Sequence, residues 1–287
     1  MAQQQTKFVC YNGDIVPSNA LFFTDNRSIL YGDGLFESMR SRGAYVPLLS
    51  FHLNRLRHSM ASIGMNAESF PSNREIEQAI SRLLHRNKWL KAARLRLTVF
   101  RKPGGLYYPE NNDVDFFITA QPLETSIYEL NQRGLIIGIN DEMTVFPSKL
   151  TSIKSTSALR LVLASQWAKT RKFDDCLLIN NHGHLVESCS SNLFVWHKER
   201  LYTPPLSDGC LPGIMRSVII DLARQMKIDV IDNQSLTPDM LESAAEIFLT
   251  NAVQGIQWVL AYENAGYYHN FSSELINLLN KQLGLKD

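Results

Sequence analysis

No apolar run among the 287 residues approaches the about 20 that a membrane-spanning helix needs, and the N-terminal MAQQQTKFVC has no apolar signal core. A cytoplasmic protein that neither enters nor crosses a membrane is expected. Cysteine is scarce: Cys10, Cys176, Cys189 and Cys210 show neither CxxC spacing nor a disulfide-dense pattern, which favours a reducing compartment. Charge of one sign is missing too. With 29 Lys+Arg against 28 Asp+Glu, a formal net charge of +1, the chain has no polybasic run of the kind that binds nucleic acid or an anionic membrane. Only Arg82 to Arg101 is locally basic, which reads as a solvated helix face running into a strand edge, with a field for an anionic substrate as the alternative. A GxSxG elbow, a Walker loop and a GxGxxG turn are absent. His182-Gly183-His184 reads as a turn, and since no further ligand group has metal spacing, no metal is expected.

What remains has the make-up of an ordinary globular protein, 45% hydrophobic and 20% charged, and the length allows two domains. Phe8 to Val16 reads as a hairpin around Asn12-Gly13-Asp14, after which Leu21 to Gly34 leads into a strand from Leu35 to Arg40. Ser50 is the expected N-cap of a helix from Phe51 to Ile63, and a second helix begins near Pro71-Ser72-Asn73. Strands are expected at Ala93 to Phe100 and Val114 to Thr119. The loop between them carries Gly104-Gly105 and then Tyr107-Tyr108, a candidate substrate rim. Ala120 to Asn131 changes character and marks a boundary, which predicts domains at 1–121 and 132–287 joined by a linker at 122–131. Beyond it the pattern predicts a strand at Leu135 to Ile139, an amphipathic helix over 155–171, several short strands, a helix from Gly213 to Met226 and a closing helix from Phe271.

Three features carry chemistry. Lys154 precedes a helix, and a lysine amine kept partly neutral can form an imine with an aldehyde. Glu187 follows the turn at Gly183, and an acid facing a pyridine nitrogen keeps that nitrogen protonated. Leu211-Pro212-Gly213-Ile214 opens a helix whose free N–H groups suit a phosphate. Aldehyde, pyridine and phosphate together describe pyridoxal 5′-phosphate, although a solvated lysine, a surface carboxylate and a core leucine would be the plain readings of the same residues.

The order is more specific than the parts. Lys154, Gly183 with Val186-Glu187, Ser191-Asn192-Leu193-Phe194, Thr203-Pro204 and Leu211-Pro212-Gly213-Ile214-Met215-Arg216 resemble the class IV aminotransferases, as do Tyr31-Gly32-Asp33-Gly34-Leu35-Phe36-Glu37 and His52-Leu53-Asn54-Arg55-Leu56. The resemblance implies an α+β protein of the D-amino acid aminotransferase-like type, fold type IV, with a small α/β sandwich domain and a larger barrel-like domain that binds pyridoxal 5′-phosphate. It implies Lys154 as covalent anchor and proton shuttle, Glu187 at the ring nitrogen, and Arg55 with the N–H groups of Ile214 and Met215 at the phosphate. Leu211 would pack on the ring, Gly213 would open the helix, and Asn251-Ala252 would lie by the phosphate. Asn192 would organise its loop by hydrogen bonds. Phe36, Tyr107 and Tyr108 would line the substrate rim. Arg216 is left out as a solvated helix arginine.

Two departures from the family pattern stand out: Met215 and Ala252 occupy positions where many members carry phosphate-binding hydroxyls, with Thr250 as a potential substitute. The motifs are most similar to aminodeoxychorismate lyases, which release pyruvate and p-aminobenzoate. An amino acid aminotransferase of branched-chain type is the alternative, although Phe36-Glu37-Ser38-Met39-Arg40 departs from the usual Phe-Glu-Gly-X-Arg of that group. A cofactor-free binding protein on the same fold is a third reading, disfavoured by the presence of Lys154 and Arg55. The resemblance also implies a homodimer acting on a small amino substrate.

Overall fold

The computed structural model describes residues 7–20 and 24–286, so the polar N-terminal tail and part of the lead-in from Leu21 lie outside the described residues. The chain divides into two compact units, 1–126 with Lys154–Ser157, and 127–153 with 158–287. The change of unit falls between Ser126 and Ile127, and the four residues that start with Lys154 belong to the first.

The first unit is built on an antiparallel sheet. Strands β1 (Phe8–Tyr11) and β2 (Asp14–Pro17) form the expected hairpin, with Tyr11 opposite Asp14. Helix α1 (Arg27–Tyr31), which periodicity does not reveal in five residues, is capped by the Asn26 side chain on the Ser28 N–H. Then follow β3 (Gly34–Arg42), helices α2 (Leu49–Ser62) and α3 (Asn73–Asn87), β4 (Ala92–Arg101) and β5 (Val114–Pro122), in the sheet order β2-β1-β5-β4-β3. Helix α3 starts on a full capping box, with Ser72 and Glu75 exchanging side-chain and backbone bonds. Helix α2 corrects the sequence reading: it begins at Leu49, before Ser50, with Leu48 at its cap in the left-handed region (φ 61°) and no side-chain cap bond. The Leu48 carbonyl accepts the His52 N–H, so the first turn closes on backbone alone.

Strand alternation gives the sheet two unlike faces. Leu35, Met39, Leu95, Leu97, Val99, Phe116 and Ile118 are buried, as are Leu53, Leu56 and Met60 of α2 and Ile76, Ile80, Leu83 and Leu84 of α3. Burying each such side chain stabilises the fold by roughly 1.5–3 kcal/mol before entropy. The opposite face carries Phe36, Ser38 and Arg40 on β3, set by register against Thr98, Arg96 and Arg94 on β4. That face is polar and cationic.

The second unit contains β6 (Leu135–Val145), α4 (Leu159–Thr170), β7 (Asp175–Asn180), β8 (Leu185–Ser188), β9 (Asn192–His197), β10 (Arg200–Tyr202), α5 (Ile214–Gln225), β11 (Asp229–Ile231), α6 (Asp239–Glu242), β12 (Glu246–Asn251), β13 (Gly255–Tyr262) and α7 (Asn270–Gln282). Among the described residues β9-β12-β13-β6-β7-β8 run edge to edge and β8 pairs back to β9, closing a six-stranded barrel. The ring mixes parallel pairs, β13 with β6 and β6 with β7, with antiparallel ones. Closure leaves these six strands without a free edge. Ile137, Leu177, Leu185, Leu193, Val195, Ile247, Leu249 and Val259 form one core cluster, and Phe194 stacks on Phe248 with centroids 5.2 Å apart.

Two sequence expectations fail here for identifiable reasons. Helix α4 starts at 159, not 155, because the preceding residues pair as a strand: Phe36 N–H donates to the Lys154 carbonyl (2.9 Å) and Thr156 N–H to that of Gly34 (2.8 Å). Nor is α4 amphipathic in the expected sense, since it buries Ala164 and Ala168 while Leu159, Val162 and Leu163 stay exposed. Glu187 follows the turn at Gly183 as expected and sits within β8, opposite Leu178 of β7.

Candidate active site

In the first unit the lysine is positioned by β3. The bonds from Lys154–Thr156 to the start of that strand make the segment an added strand edge, with Leu35 bridged to Ser155. Half-buried Lys154 places its Nζ 4.6 Å from the centroid of the Phe36 ring. The Arg96 guanidinium lies 3.6 Å from the same centroid. Desolvation, and then the neighbouring Arg94 charge, lower the pKa of Arg96. No carboxylate lies within ion-pair distance of it among the described residues. Beside it Thr98, 3% exposed, has a buried hydroxyl without a hydrogen-bond partner among the described residues. A cation and a hydroxyl both lacking counterparts make this face suited to an anion.

Arg55, on α2, is held by Glu37 of β3. Its Nε donates to Glu37 Oε1 (2.8 Å) and its Nη2 to Oε2 (2.6 Å), while His52 Nδ1 lies 2.7 Å from the same Oε2. Glu37 is 1% exposed. Burial pushes its carboxyl upward, but the Arg55 charge and the hydrogen bonds from His52 and Arg55 outweigh it and hold the pKa at about 2. His52 and Arg55, three apart on α2, are neighbours on one helix face, but Glu37 as their common anchor is not among the candidates that the sequence offers. The signal was there: the Leu35, Glu37, Met39 alternation puts this acid on the helix-facing side.

The rim loop is held from below by a buried arginine, which the sequence did not single out. Arg27 donates through Nη1 to the carbonyls of Gly104 (2.9 Å), Gly105 (3.2 Å) and Leu106 (2.6 Å), and through Nη2 to that of Tyr107 (3.4 Å). Asp33 accepts from both Arg27 and Arg101, fixing the fork. Gly105 has φ +71°, and a Cβ there would overlap the Tyr108 carbonyl oxygen, so the turn needs glycine. Tyr107 and Tyr108 themselves are 87% exposed.

In the second unit the expected residues meet around Leu211. Glu187 Oε2 accepts the Leu211 N–H (3.0 Å), and Asn192 Nδ2 donates to the Leu211 carbonyl (2.9 Å). Asn192, expected to organise its loop, therefore pins the entrance of α5, and Glu187 is paired with it across β8 and β9. Gly213 is the N-cap of α5, with no side-chain cap bond, so the N–H groups of Ile214 and Met215 have no intrahelical partner. Met215 is 1% exposed, and its contribution to an anion is its backbone. Asn251 accepts from the Val253 and Gln254 N–H groups (3.0 and 2.8 Å) and donates to Ser191 Oγ (2.9 Å), which makes it the organiser of its turn. The Ala252 carbonyl takes the Tyr128 hydroxyl (2.8 Å), and the buried Thr250 hydroxyl has no partner.

Arg216 corrects the sequence reading. It is buried, its Nη2 donates to the Pro204 carbonyl (3.0 Å), and desolvation lowers its pKa; it ties α5 to the Thr203-Pro204 segment instead of facing water. His182-Gly183-His184 forms the expected turn, with Asn180 Oδ1 accepting the N–H groups of both histidines at 3.0 Å.

A Cβ on Gly213 would overlap Asn192 Oδ1. Gly213→Ala should therefore displace Asn192, break its bond to Leu211 and cost about 1–3 kcal/mol, read as a lower denaturation midpoint; an unchanged midpoint would show that the loop yields freely.

The donor set fits pyridoxal 5′-phosphate chemically: an amine for the aldehyde, a guanidinium and helix-end N–H groups for the phosphate, a carboxylate for the pyridine nitrogen. The family model for class IV amino-transferases matches residues 34–262. A Methanocaldococcus jannaschii protein described as "Putative branched-chain-amino-acid aminotransferase" is 29% identical over 80% of this chain and 79% of its own length. A branched-chain aminotransferase of Thermoproteus uzoniensis, crystallised with norvaline, has the same fold, with a TM-score of 0.88 at 23% identity over 99% of this chain and 97% of that one. A Legionella pneumophila structure described as "Putative 4-amino-4-deoxychorismate lyase" aligns with a TM-score of 0.80 at 28% identity, over 94% of this chain and 97% of that one.

Proposed function

The chain belongs to the class IV aminotransferase family, and from that premise we propose that it transfers an amino group between a carboxylate-bearing amino acid and a 2-oxo acid. Class IV aminotransferases work with pyridoxal 5′-phosphate, and this chain is a pyridoxal-phosphate-dependent enzyme. Branched-chain aminotransferases among its relatives support the reading. The observation that carries it is the grouping at Phe36: a lysine amine at 4.6 Å and an unpaired arginine at 3.6 Å from one ring centroid. An amino acid brings an amine to be transferred and an α-carboxylate to be held. Lys154 answers the first and Arg96 the second.

When bound, the cofactor supplies an electron sink for the negative charge left after proton removal. Lys154 would be the residue that anchors it, and its amine would carry the proton at the amine-bearing carbon. Glu187 keeps the ring nitrogen protonated. Arg55 and the N–H groups of Ile214 and Met215 hold the phosphate, with the Asn251-Ala252 turn beside it. Leu211, its backbone pinned by Glu187 and Asn192, packs on the ring, and Gly213 lets the chain turn into α5. Phe36, Tyr107 and Tyr108 line the substrate rim, and the two tyrosines, 87% exposed, suit contact with a second copy of the chain in a homodimer.

Aminodeoxychorismate lyase activity is the second reading. Ser38 favours it: this hydroxyl stands opposite Arg96 in register, where the branched-chain pattern has glycine, and it narrows the space an aliphatic side chain would take. Single-turnover assays separate the two. Stoichiometric amino transfer from an apolar L-amino acid without pyruvate from aminodeoxychorismate supports the transaminase; pyruvate with p-aminobenzoate would overturn it in favour of the lyase. Arg96→Leu should raise KM for the amino acid by roughly 10²-fold while lowering kcat less, because it removes a charge-assisted contact made in ground and transition states alike. A change confined to kcat would place Arg96 elsewhere in the reaction.

A further inference from the structure

Cys176, on β7, and Cys189, one residue past the end of β8, take no part in the chemistry above. Their Sγ atoms lie 3.5 Å apart, and the Cys176 Sγ also lies 3.3 Å from the Ala164 carbonyl of α4. In β7 and β8 Leu177 pairs with Ser188, so one further step sets Cys176 opposite Cys189. Residues placed so have Cα atoms about 4.5–5.5 Å apart, inside the range a disulfide spans. Asp175 Oδ1 accepts both the Cys176 N–H (2.8 Å) and the Cys189 N–H (3.3 Å), which holds the two backbones in place. Of the four cysteines, Cys10, Cys176 and Cys210 are buried and Cys189 is partly exposed.

We propose that Cys176 and Cys189 are a peroxide-oxidisable dithiol that closes into an intrachain disulfide. The reaction needs only a peroxide as oxidant. The Cys189 thiolate attacks one peroxide oxygen, an S–O bond forms, the O–O bond breaks and hydroxide leaves, taking up a proton to become water. Cys176 then attacks the sulfur of this sulfenic acid, the S–S bond forms, the S–O bond breaks, and a second hydroxide leaves as water with the Cys176 proton. Two thiols and one hydrogen peroxide give one disulfide and two waters. Cys189 is the attacking group on grounds of access, being partly exposed, whereas Cys176 is buried with its S–H donating to the Ala164 carbonyl.

The location gives the bond a consequence. Cys189 lies between Glu187 and Asn192, the two side chains that pin the Leu211 backbone. Drawing the sulfurs from 3.5 Å to about 2.05 Å pulls on the Cys189-Ser190-Ser191 loop and so on the hold over Leu211. Oxidation is thereby coupled to cofactor retention, a link that rests on the assignment of Glu187 and Leu211 to the cofactor.

The holoenzyme is treated with hydrogen peroxide, alkylated and cleaved after Glu187 without reductant. The fragments holding Cys176 and Cys189 stay joined and separate on adding dithiothreitol, while Cys10 and Cys210 remain free thiols. In Cys176→Ser the sulfenic acid on Cys189 persists and is trapped by dimedone, and no joined fragment forms. Separate fragments from the wild type, whether Cys189 is singly oxidised or untouched, overturn the proposal. The oxidised wild type releases pyridoxal 5′-phosphate about tenfold faster than the reduced one, and Cys189→Ser shows no such peroxide effect. Joined fragments with an unchanged release rate overturn the coupling and leave the dithiol standing.

Discussion

Lys154→Ala lowers turnover by at least about 10³-fold, the range removed with a covalent anchor that is also the acid–base group. The loss falls on kcat, since in the proposed site Arg96 would still hold the substrate carboxylate. On the proposed site, cofactor affinity falls less, because Arg55 and the start of α5 would still hold the phosphate and Glu187 the ring nitrogen. The backbone of residue 154 keeps its bond from Phe36 N–H and its neighbours their pairing with β3, neither of which involves the side chain. The variant should therefore fold, and its circular dichroism and melting should match the parent. Small primary amines added to the assay should restore part of the rate, increasing with amine concentration, as they replace a missing proton carrier. Wild-type turnover by the cofactor-loaded variant would remove Lys154 from the mechanism.

The second large effect is on stability. Glu37→Gln removes the charge between Arg55 and His52 in a place where the carboxylate is 1% exposed, and breaking such a buried pair costs about 3–5 kcal/mol. The pH dependence follows from the direction of the shift. Against the upward push of burial, the Arg55 charge and the hydrogen bonds from His52 and Arg55 hold the carboxyl at about 2 in the folded protein, below the 4.5 of an ordinary glutamate, so folding holds it ionised. Its contribution, on the order of 3 kcal/mol, is complete above about 4.5 and is lost as pH falls from there toward about 2. Urea melts at a series of pH values should show the wild type losing stability across that window more steeply than Glu37→Gln. Parallel curves for the two proteins would mean that Glu37 is not held ionised by Arg55 and His52. Near neutral pH the variant should also bind cofactor more weakly, because Arg55 loses the partner that orients it.

The elements whose sequence signals are local were legible. Pro71-Ser72-Asn73 announces α3, Asn12-Gly13-Asp14 announces the first hairpin, and Gly213 announces α5, because each turn is decided by residues within a few positions of it. Lys154, Glu187, Arg55 and Leu211 were equally legible as candidates, since a motif fixes order and spacing. Their physical surroundings were not. Helix α4 starts later than its pattern predicts because Lys154–Thr156 satisfies its backbone groups on β3, more than 110 residues back. Arg216 looks like any helix arginine until the Pro204 carbonyl meets it.

The sequence by itself therefore determined the family and the α+β plan and named the candidate reactive groups, because these follow from periodicity, turn chemistry and motif order. Only the tertiary structure decided which charges face each other: Glu37 between Arg55 and His52, Arg96 without a carboxylate beside Phe36, Cys176 against Cys189. Such pairings depend on strand register and on which face a residue shares with a distant segment, and no local property of the chain encodes that.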